Sequence, residues 1–249
     1  MFRDLIDDFD NYSSQSGMFL DVPFVPTDDA VIKAMLRMAN IDSEDILYDL
    51  GAGDGRIVVA AAKEYDCRAV GVEIDPLRIA DAMEYAGDTG VEYLVDFIEG
   101  DIFAAEFSDA TVVTLYLLDS INLQLRPRLL TELRPGSRII SHAFSMGDWK
   151  ADEVLEVGGI KIYKWVVPAQ VAGAWEWEAV DGTPVRAEIS QKFQKVAVRA
   201  WLDGRSAKVK HAKLEGGVME LDLERRTGLI GFNLHFKDNQ LSSVEEVQE

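Results

Sequence analysis

The chain has 249 residues, 48% of them apolar, and its 44 acidic and 25 basic side chains give a net charge of −19 with histidine neutral. This composition excludes a disordered chain, and the single cysteine, Cys67, excludes a scaffold held by disulfides. No apolar run approaches the roughly 20 residues of a membrane helix, and acids stand where a signal peptide needs bases. The sequence predicts a soluble, cytoplasmic protein without membrane insertion.

The negative charge is concentrated in the first two thirds of the chain. Residues 1–168 hold 31 acids and 14 bases, a net of −17, whereas residues 169–249 hold 13 acids and 11 bases, a net of −2. A field of that sign repels phosphates and attracts cations or basic proteins. We therefore expect a basic protein or a small molecule as partner and no nucleic acid. Solubility, or adaptation to a salty cytoplasm, is an equally good explanation of the charge.

The N-terminal residues 1–21 are polar and acidic and are predicted to form an arm. Prolines at positions 23 and 26 force residues 22–27 into an extended path. Thr27 or Asp28 can then cap a helix that ends near Ala39.

Strands and helices alternate over the following hundred residues. The predicted strands are 46–50, 68–73, 93–98, 111–118 and 137–144. The predicted helices are 56–65, one that begins at Asp75-Pro76, and 122–133, in which Pro127 places the true start later. This rhythm predicts a doubly wound parallel sheet over residues 22–168, with the mainly apolar strand 111–118 at its centre.

The pattern changes near Pro168 to short alternating segments separated by Asp-Gly turns at positions 181 and 203. Such spacing predicts a small antiparallel β-sandwich or barrel over residues 169–238. Trp175 and Trp177 share one face of its first strand and are predicted to lie in its core, with a binding platform for a peptide or a ring as the alternative. Residues 239–249 are predicted to be a frayed acidic tail.

The segment with the strongest functional signal is YDLGAGDGR at 48–56, which follows a strand and opens a helix. Gly51, Gly53 and Gly55 allow a tight turn and close approach of a ligand to the backbone. A nicotinamide-binding loop would have the spacing G-x-G-x-x-G. Here the spacing is G-x-G-x-G, and Asp49 precedes it, which suits a positively charged ligand better than a pyrophosphate.

Two further acids end the next two strands. Glu73 lies 18 residues after Gly55, where an acid binds a ribose diol in dinucleotide-type folds. Asp101 follows Gly100 and can accept a hydrogen bond from an adenine amino group. Each acid alone is more simply a strand-end or capping residue, but three acids beside one glycine loop favour a nucleoside site.

These residues resemble those of the class I S-adenosylmethionine-dependent methyltransferases. Within this class, they resemble more closely a branch that contains archaeal broad-specificity protein-lysine methyltransferases and mitochondrial ATP-synthase c-subunit lysine methyltransferases. It is carried by VPFVPT at 22–27, YDLGAGDGRIVVAAA at 48–62, GVEID at 71–75, GD at 100–101, ATVVTLYLL at 110–118, LRPRLLTELRPGSRIISHAF at 125–144 and Trp149. Phe24 stands where that branch often has tyrosine. The predicted antiparallel β domain over residues 169–238 is absent from the branch's minimal members.

The resemblance implies a seven-stranded Rossmann-like sheet and S-adenosyl-L-methionine as cofactor, with S-adenosyl-L-homocysteine as product. It implies that Glu73 holds the ribose hydroxyls and that Tyr116 faces the transferring methyl. The implied cofactor-binding residues are Thr27, Asp49, Gly51, Ala52, Gly53, Gly55, Glu73, Ile74, Asp101, Ile102 and Leu115.

Methyl transfer to lysine requires a neutral amine, and an apolar channel favours that form because it disfavours the charge. Phe24, Tyr116, Phe144 and Trp149 are candidates to line such a channel, with ordinary core packing as the alternative for each. His142 is a candidate base, or else a buried histidine that supports the site. No His or Cys pair has metal-ligand spacing, so no metal is expected.

Three functions remain open. The first is methylation of lysine side chains in protein. The second is methylation of a small molecule at N, O or S, and the third is non-catalytic cofactor binding in an assembly. Strand 111–118 ends in LYLL at 115–118 rather than in the Asn/Asp-Pro-Pro-Tyr signature of base methyltransferases, which argues against DNA or RNA as substrate. The sequence does not indicate an oligomeric state.

Overall fold

A computed structural model describes residues 24–226, 228–237 and 239–247. The predicted arm over residues 1–21 lies outside the described residues, as do Val22 and Pro23. The chain forms two compact units. The first holds the described residues up to Leu133 together with Arg138–Trp165, and the second holds Arg134–Ser137 and the residues from Val166 onward.

The first unit is built on a seven-stranded, mainly parallel sheet, which confirms the predicted fold class. Its strands are β1 (Ile46–Leu50), β2 (Arg68–Glu73), β3 (Val95–Glu99), β4 (Val112–Leu115), β5 (Arg138–His142), β6 (Glu153–Val157) and β7 (Ile160–Val166). Their order is β3-β2-β1-β4-β5-β7-β6, so the apolar β4 is central, as predicted. The carboxyl ends of β1, β2 and β4 therefore meet at one edge, where ligands of such sheets bind.

Four helices accompany this sheet: α1 (Asp29–Ala39), α2 (Arg56–Tyr65), α3 (Pro76–Thr89) and α4 (Asp119–Glu132). Asp75 caps α3 as predicted, since its side chain accepts a hydrogen bond from the Leu77 amide at 2.9 Å. None of the helices in the described part of the chain is long and apolar enough to cross a membrane.

Helix α4 corrects the prediction that Pro127 delays the helix start. It begins at Asp119, and Pro127 lies in its interior. Tertiary anchors offset the cost of an interior proline, about 3 kcal/mol. The carboxylate of Asp119 accepts hydrogen bonds from the amide and hydroxyl of Ser145 at 2.8 and 3.0 Å. Arg128 donates to three backbone carbonyls, those of Ile102, Phe103 and Ala105.

Two strands at the site edge are shorter than predicted. Strand β4 ends at Leu115, which pairs with Leu50 on one side and Ser141 on the other. Strand β1 also ends at Leu50, so the residue after Leu115 has no partner there to continue the ladder. Tyr116 therefore leaves the sheet and leads into α4.

The hairpin of β6 and β7 was not predicted. Strand β6 is the edge strand of the sheet and is exposed along nearly its whole length, so it carries no inward-outward alternation. The turn does have a sequence signal: Gly158 and Gly159 have φ of 60° and 84°, as a two-residue hairpin turn requires.

The second unit is a seven-stranded antiparallel sheet in the order β14 to β8, so each strand pairs with its neighbour in sequence. Its strands are β8 (Gly173–Glu178), β9 (Pro184–Lys192), β10 (Lys195–Leu202), β11 (Arg205–Glu215), β12 (Val218–Arg225), β13 (Gly228–Lys237) and β14 (Gln240–Val247). The rings of Trp175 and Trp177 pack edge-on against Phe236 and Phe232, which brings β8 and β13 face to face. The sheet is thus nearly closed, as the predicted barrel requires.

The prediction of a tail from residue 239 is wrong, because residues 240–247 form β14. Leu241 and Val244 pack on the core of the second unit. They are three residues apart because the pairing with β13 shifts register between His235 and Phe236. That irregularity breaks the period of two by which a strand is recognised in a sequence.

Candidate functional site

The glycine loop connects β1 to α2 and adopts a backbone that side chains disfavour. Gly51, Gly53 and Gly55 have φ of 86°, 54° and 75°. A Cβ on Gly53 would lie 2.5 Å from Cε2 of Phe24, and a Cβ on Gly55 would lie 2.8 Å from Cβ of Ala82. The loop therefore needs glycine both for its conformation and for its packing.

Glu73 fixes this loop to the end of β2. Its Oε2 accepts a hydrogen bond from the Gly53 amide at 2.8 Å, and its Oε1 accepts from the amides of Ile74 and Asp75 at 2.9 and 3.0 Å. A carboxylate offers about four acceptor directions, so these three bonds leave room for a further donor. Glu73 is thus held rigidly where the resemblance places a ribose hydroxyl.

Asp49 is a buried acid on β1 with 2% of its surface exposed. Its Oδ1 accepts a hydrogen bond from the Thr114 hydroxyl at 2.7 Å. The pKa of Asp49 is raised to about 7, chiefly by burial; the charges of Glu73 and Asp54 contribute to this rise, and the Thr114 hydrogen bond opposes it. A cation bound beside Asp49 would stabilise its ionised form. The residues of this edge therefore fit a ligand with a nucleoside diol and a positively charged tail.

Two of the remaining predicted contacts, Asp101 and Ile102, lie in the turn after β3. The Gly100 amide donates to the Glu73 carbonyl at 2.9 Å, which places Asp101 near the end of β2. Oδ1 of Asp101 caps the following turn by accepting from the Phe103 amide at 2.8 Å. Ile74 is 44% exposed and Ile102 is half-buried, whereas Ala52 and Leu115 are buried. The first pair can contact a ligand, and the second pair supports the loop from within.

The segment that precedes α1 crosses the glycine loop. The Phe24 ring lies against Gly53, and the guanidinium carbon of Arg78 lies 4.0 Å from the centre of that ring. Arg56 Nη1 donates to the Thr27 carbonyl at 3.0 Å. Two arginines therefore attach this segment to the first turns of α2 and α3.

Tyr116, His142 and Phe144 form an aromatic cluster at the ends of β4 and β5. The rings of Tyr116 and His142 stack with centroids 3.7 Å apart, and Phe144 lies 6.2 Å from Tyr116. Nδ1 of His142 lies 3.2 Å from the Thr27 hydroxyl. The cluster is therefore joined to the segment that crosses the glycine loop.

Burial keeps this cluster neutral. It lowers the pKa of His142 to about 4, against a smaller opposing effect of the Asp28 charge. Burial also raises the pKa of Tyr116, and the Asp28 charge acts in the same direction. A neutral imidazole with so low a pKa is a weak base at neutral pH, so the geometry favours His142 as the support of the Tyr116 ring.

The two possible roles of His142, general base and support of the Tyr116 ring, predict different results for substitution. If His142 positions Tyr116, His142→Phe keeps the stack and retains kcat within about threefold, whereas His142→Ala lowers kcat by about 10-fold or more. A general base would lose about 100-fold or more with both variants. Initial rates over pH 5–9 provide the check: a positioning role predicts no step in kcat assignable to His142, and equal losses in both variants contradict it.

Other candidates from the sequence lie elsewhere. Trp149 is 1% exposed and packs against Trp165, whose Nε1 donates to the Trp149 carbonyl at 2.9 Å, so it belongs to the core. Burial raises the pKa of Cys67 to about 11, which makes the thiol unreactive. Among the described residues, no group of three or more His, Cys, Asp or Glu side chains could hold a metal ion.

The sequence analysis missed Thr114, Arg56, Arg78 and Arg128, which fix the site rather than line it. Thr114 has a signal, since it is the one polar residue of the buried β4. The arginines lie on helix surfaces, where the sequence does not distinguish them from solvated charges.

Known proteins resemble this chain over part of its length. The ANTKMT methyltransferase domain matches residues 49–153. The protein-lysine N-methyltransferase of Saccharolobus islandicus (strain REY15A) is 44% identical over 137 residues, which cover 55% of this chain and 85% of the relative. The human ATP-synthase c-subunit lysine N-methyltransferase is 33% identical over 137 residues, covering 55% of this chain and 58% of the relative.

A solved structure also matches: that of an RNA methyltransferase from Salinibacter ruber in complex with S-adenosyl-L-homocysteine. It is 48% identical, with a TM-score of 0.58, and the match covers 59% of this chain and 96% of that chain. The matches to these relatives therefore leave about two fifths of this chain uncovered.

Proposed function

This chain belongs to the family of S-adenosylmethionine-dependent methyltransferases that includes the archaeal protein-lysine N-methyltransferase, and we propose that it methylates lysine side chains of a basic protein. Its cofactor is S-adenosyl-L-methionine, which supplies an activated methyl group on a sulfonium. The observation that carries the lysine assignment is the neutral Tyr116–His142 stack beside the glycine loop. The acidic net charge of residues 1–168 supports a basic partner.

The chain's residues bind and orient rather than transfer protons. Asp49 stabilises the positive charge of the methionine part, Glu73 binds the ribose hydroxyls, and Asp101 and Ile102 bind the adenine. Phe24 and Thr27 cover the glycine loop and exclude water. Most of the rate enhancement then comes from in-line positioning of the nucleophile.

The aromatic cluster serves the lysine. A lysine amine has a pKa of about 10.4 in water, and it must lose a proton before it can attack. An apolar, aromatic lining disfavours the ammonium form and so lowers that pKa. Tyr116, His142 and Phe144 offer such a lining, and no carboxylate of the described residues is hydrogen-bonded within their cluster.

RNA methylation is the second candidate, because the 48% identical relative is described as an RNA methyltransferase. The acidic first part of the chain and the LYLL sequence at 115–118 favour protein over RNA. Cytoplasmic localisation and the absence of nucleic-acid partners remain predictions.

Label transfer to host extract tests the substrate class. We expect that incubation with methyl-labelled S-adenosylmethionine gives macromolecular label that protease releases and nuclease does not. Extract whose lysines have been acetylated is the control and should take up no label. Release by nuclease would establish the RNA alternative, and label confined to small molecules would establish a small-molecule substrate. If the protein binds the cofactor but methylates no fraction of the extract, a non-catalytic, cofactor-binding role is indicated.

A further inference from the structure

Asp28 occupies the N-cap position of α1, yet its side chain does not cap the helix. Its backbone carbonyl accepts from the amides of Val31 and Ile32, but the carboxylate makes no capping hydrogen bond. Aspartate is among the residues that best cap a helix with their side chain. The exposed carboxylate of Asp28 therefore has its hydrogen-bonding capacity free of a capping role in α1.

Asp28 is joined to the aromatic cluster through its neighbour in sequence. Asp28 follows Thr27, whose hydroxyl contacts Nδ1 of His142 at 3.2 Å, and His142 stacks on Tyr116. The charge of Asp28 acts on both rings. Thr27, His142 and Tyr116 are wholly or half buried, so Asp28 marks the solvent side of the cluster.

The neighbouring guanidinium of Arg56 does not neutralise Asp28. Arg56 donates to the Thr27 carbonyl, but its Nη2 and Nε form hydrogen bonds with Asp54 at 2.6 and 2.9 Å. The negative charge at the solvent side of the cluster therefore remains available to an incoming cation.

We propose that Asp28 binds the ammonium group of the substrate lysine at the entrance to the Tyr116–His142 pair; this assignment rests on the proposed function. A carboxylate in contact with the reacting amine would hold its proton, because an opposite charge favours the ionised form. At the entrance, the same carboxylate attracts the protonated lysine, and the ammonium group releases its proton to solvent water before the amine moves into the aromatic lining. Asp28 would thus select cationic substrates without entering the reaction.

The test is Asp28→Asn, because asparagine serves equally well at a helix N-cap and should leave α1 intact. Asp29→Asn is the matched control, since it removes the same charge from an adjacent exposed position. The probe is the protein fraction of host extract that binds a cation exchanger. For Asp28→Asn we expect an apparent KM raised about fivefold with kcat unchanged, and a weaker dependence of KM on salt. Asp29→Asn should behave as wild type.

The outcomes separate the two proposals. If wild type forms methyl-lysine and the Asp28→Asn and Asp29→Asn variants have the same apparent KM, the role of Asp28 is contradicted. The proposed function still stands in that case. A fall in kcat without a change in KM contradicts the role of Asp28 as well. If wild type forms no methyl-lysine, the proposed function fails, and the role of Asp28 fails with it.

Discussion

Replacing Asp49 by asparagine is expected to weaken the binding of S-adenosylmethionine by about 100-fold or more, because a buried ion pair loses one partner. Asparagine keeps the shape of the side chain and an acceptor for the Thr114 hydroxyl, so the loss isolates the charge. Isothermal calorimetry measures it directly. Unchanged affinity would contradict the assignment of Asp49 to the cationic part of the cofactor.

Without cofactor, the Asp49→Asn protein is expected to be more stable than wild type at high pH. The pKa of Asp49 is raised from 3.8 to about 7 on folding, so the folded state holds a proton that the unfolded state releases. Wild-type stability therefore falls as pH rises from about 4 to about 7, and the penalty is complete above that range. Asp49→Asn removes a penalty of order 2–4 kcal/mol at pH 8 and leaves stability at pH 4 nearly unchanged.

Urea unfolding of the two proteins at both pH values tests this sign. An Asp49→Asn variant that is no more stable than wild type at pH 8 would contradict a buried, desolvated Asp49. The wild-type protein should also bind the cofactor less tightly below pH 7, because protonation of Asp49 then competes with ligand binding, and this dependence should vanish in the variant.

The second large effect is expected for Gly53→Ala. The new Cβ would lie 2.5 Å from Cε2 of Phe24, at a backbone φ of 54°. A left-handed backbone costs an alanine roughly 1–2 kcal/mol, and the contact forces the Phe24 ring off the loop. We expect cofactor affinity to fall by about 10-fold or more, and kcat to fall with it.

Gly90→Ala is the matched control for backbone strain. Gly90 has φ of 75° after α3, and a Cβ there meets nothing within 4 Å. Gly90→Ala should lose only the stability that the left-handed backbone costs, Gly53→Ala should lose at least as much in thermal unfolding, and the Gly90→Ala variant should bind cofactor as wild type. If both variants bind equally well, the packing of Phe24 on the loop has no role in the site.

The residues of the candidate cofactor site could be picked out from local sequence signals. The strand, the three glycines and Asp49 lie within a few residues of one another, and Glu73 ends the next strand, which pairs directly with β1. The two interpretations of His142, a base and a buried support of the site, could not be distinguished in this way, because its partner Thr27 is 115 residues away in sequence. The sequence also left two interpretations open for Trp149, because only tertiary packing decides whether an aromatic side chain lines a channel or fills a core; the structure places it in the core.

The fold shows the same division between local and tertiary determinants. The start of α3 is indicated locally by Asp75-Pro76. Helix α4 instead begins three residues before its predicted range, because Asp119 accepts from Ser145 and Arg128 donates to three distant carbonyls. Strand β14 was not predicted, because the register shift between His235 and Phe236 leaves Leu241 and Val244 three residues apart instead of two or four. Elements fixed by neighbours in sequence were predictable, and elements fixed by partners in space were not.

Amino-acid analysis of the methylated product tests the central claim most directly. Labelled protein formed by wild type and by Asp49→Asn is hydrolysed in acid, and the label is separated against methylated amino-acid standards. We predict that wild type gives Nε-methyl-lysine and that the Asp49→Asn variant gives almost none. Label from wild type in any other amino acid, or equal methyl-lysine from both proteins, would contradict the account.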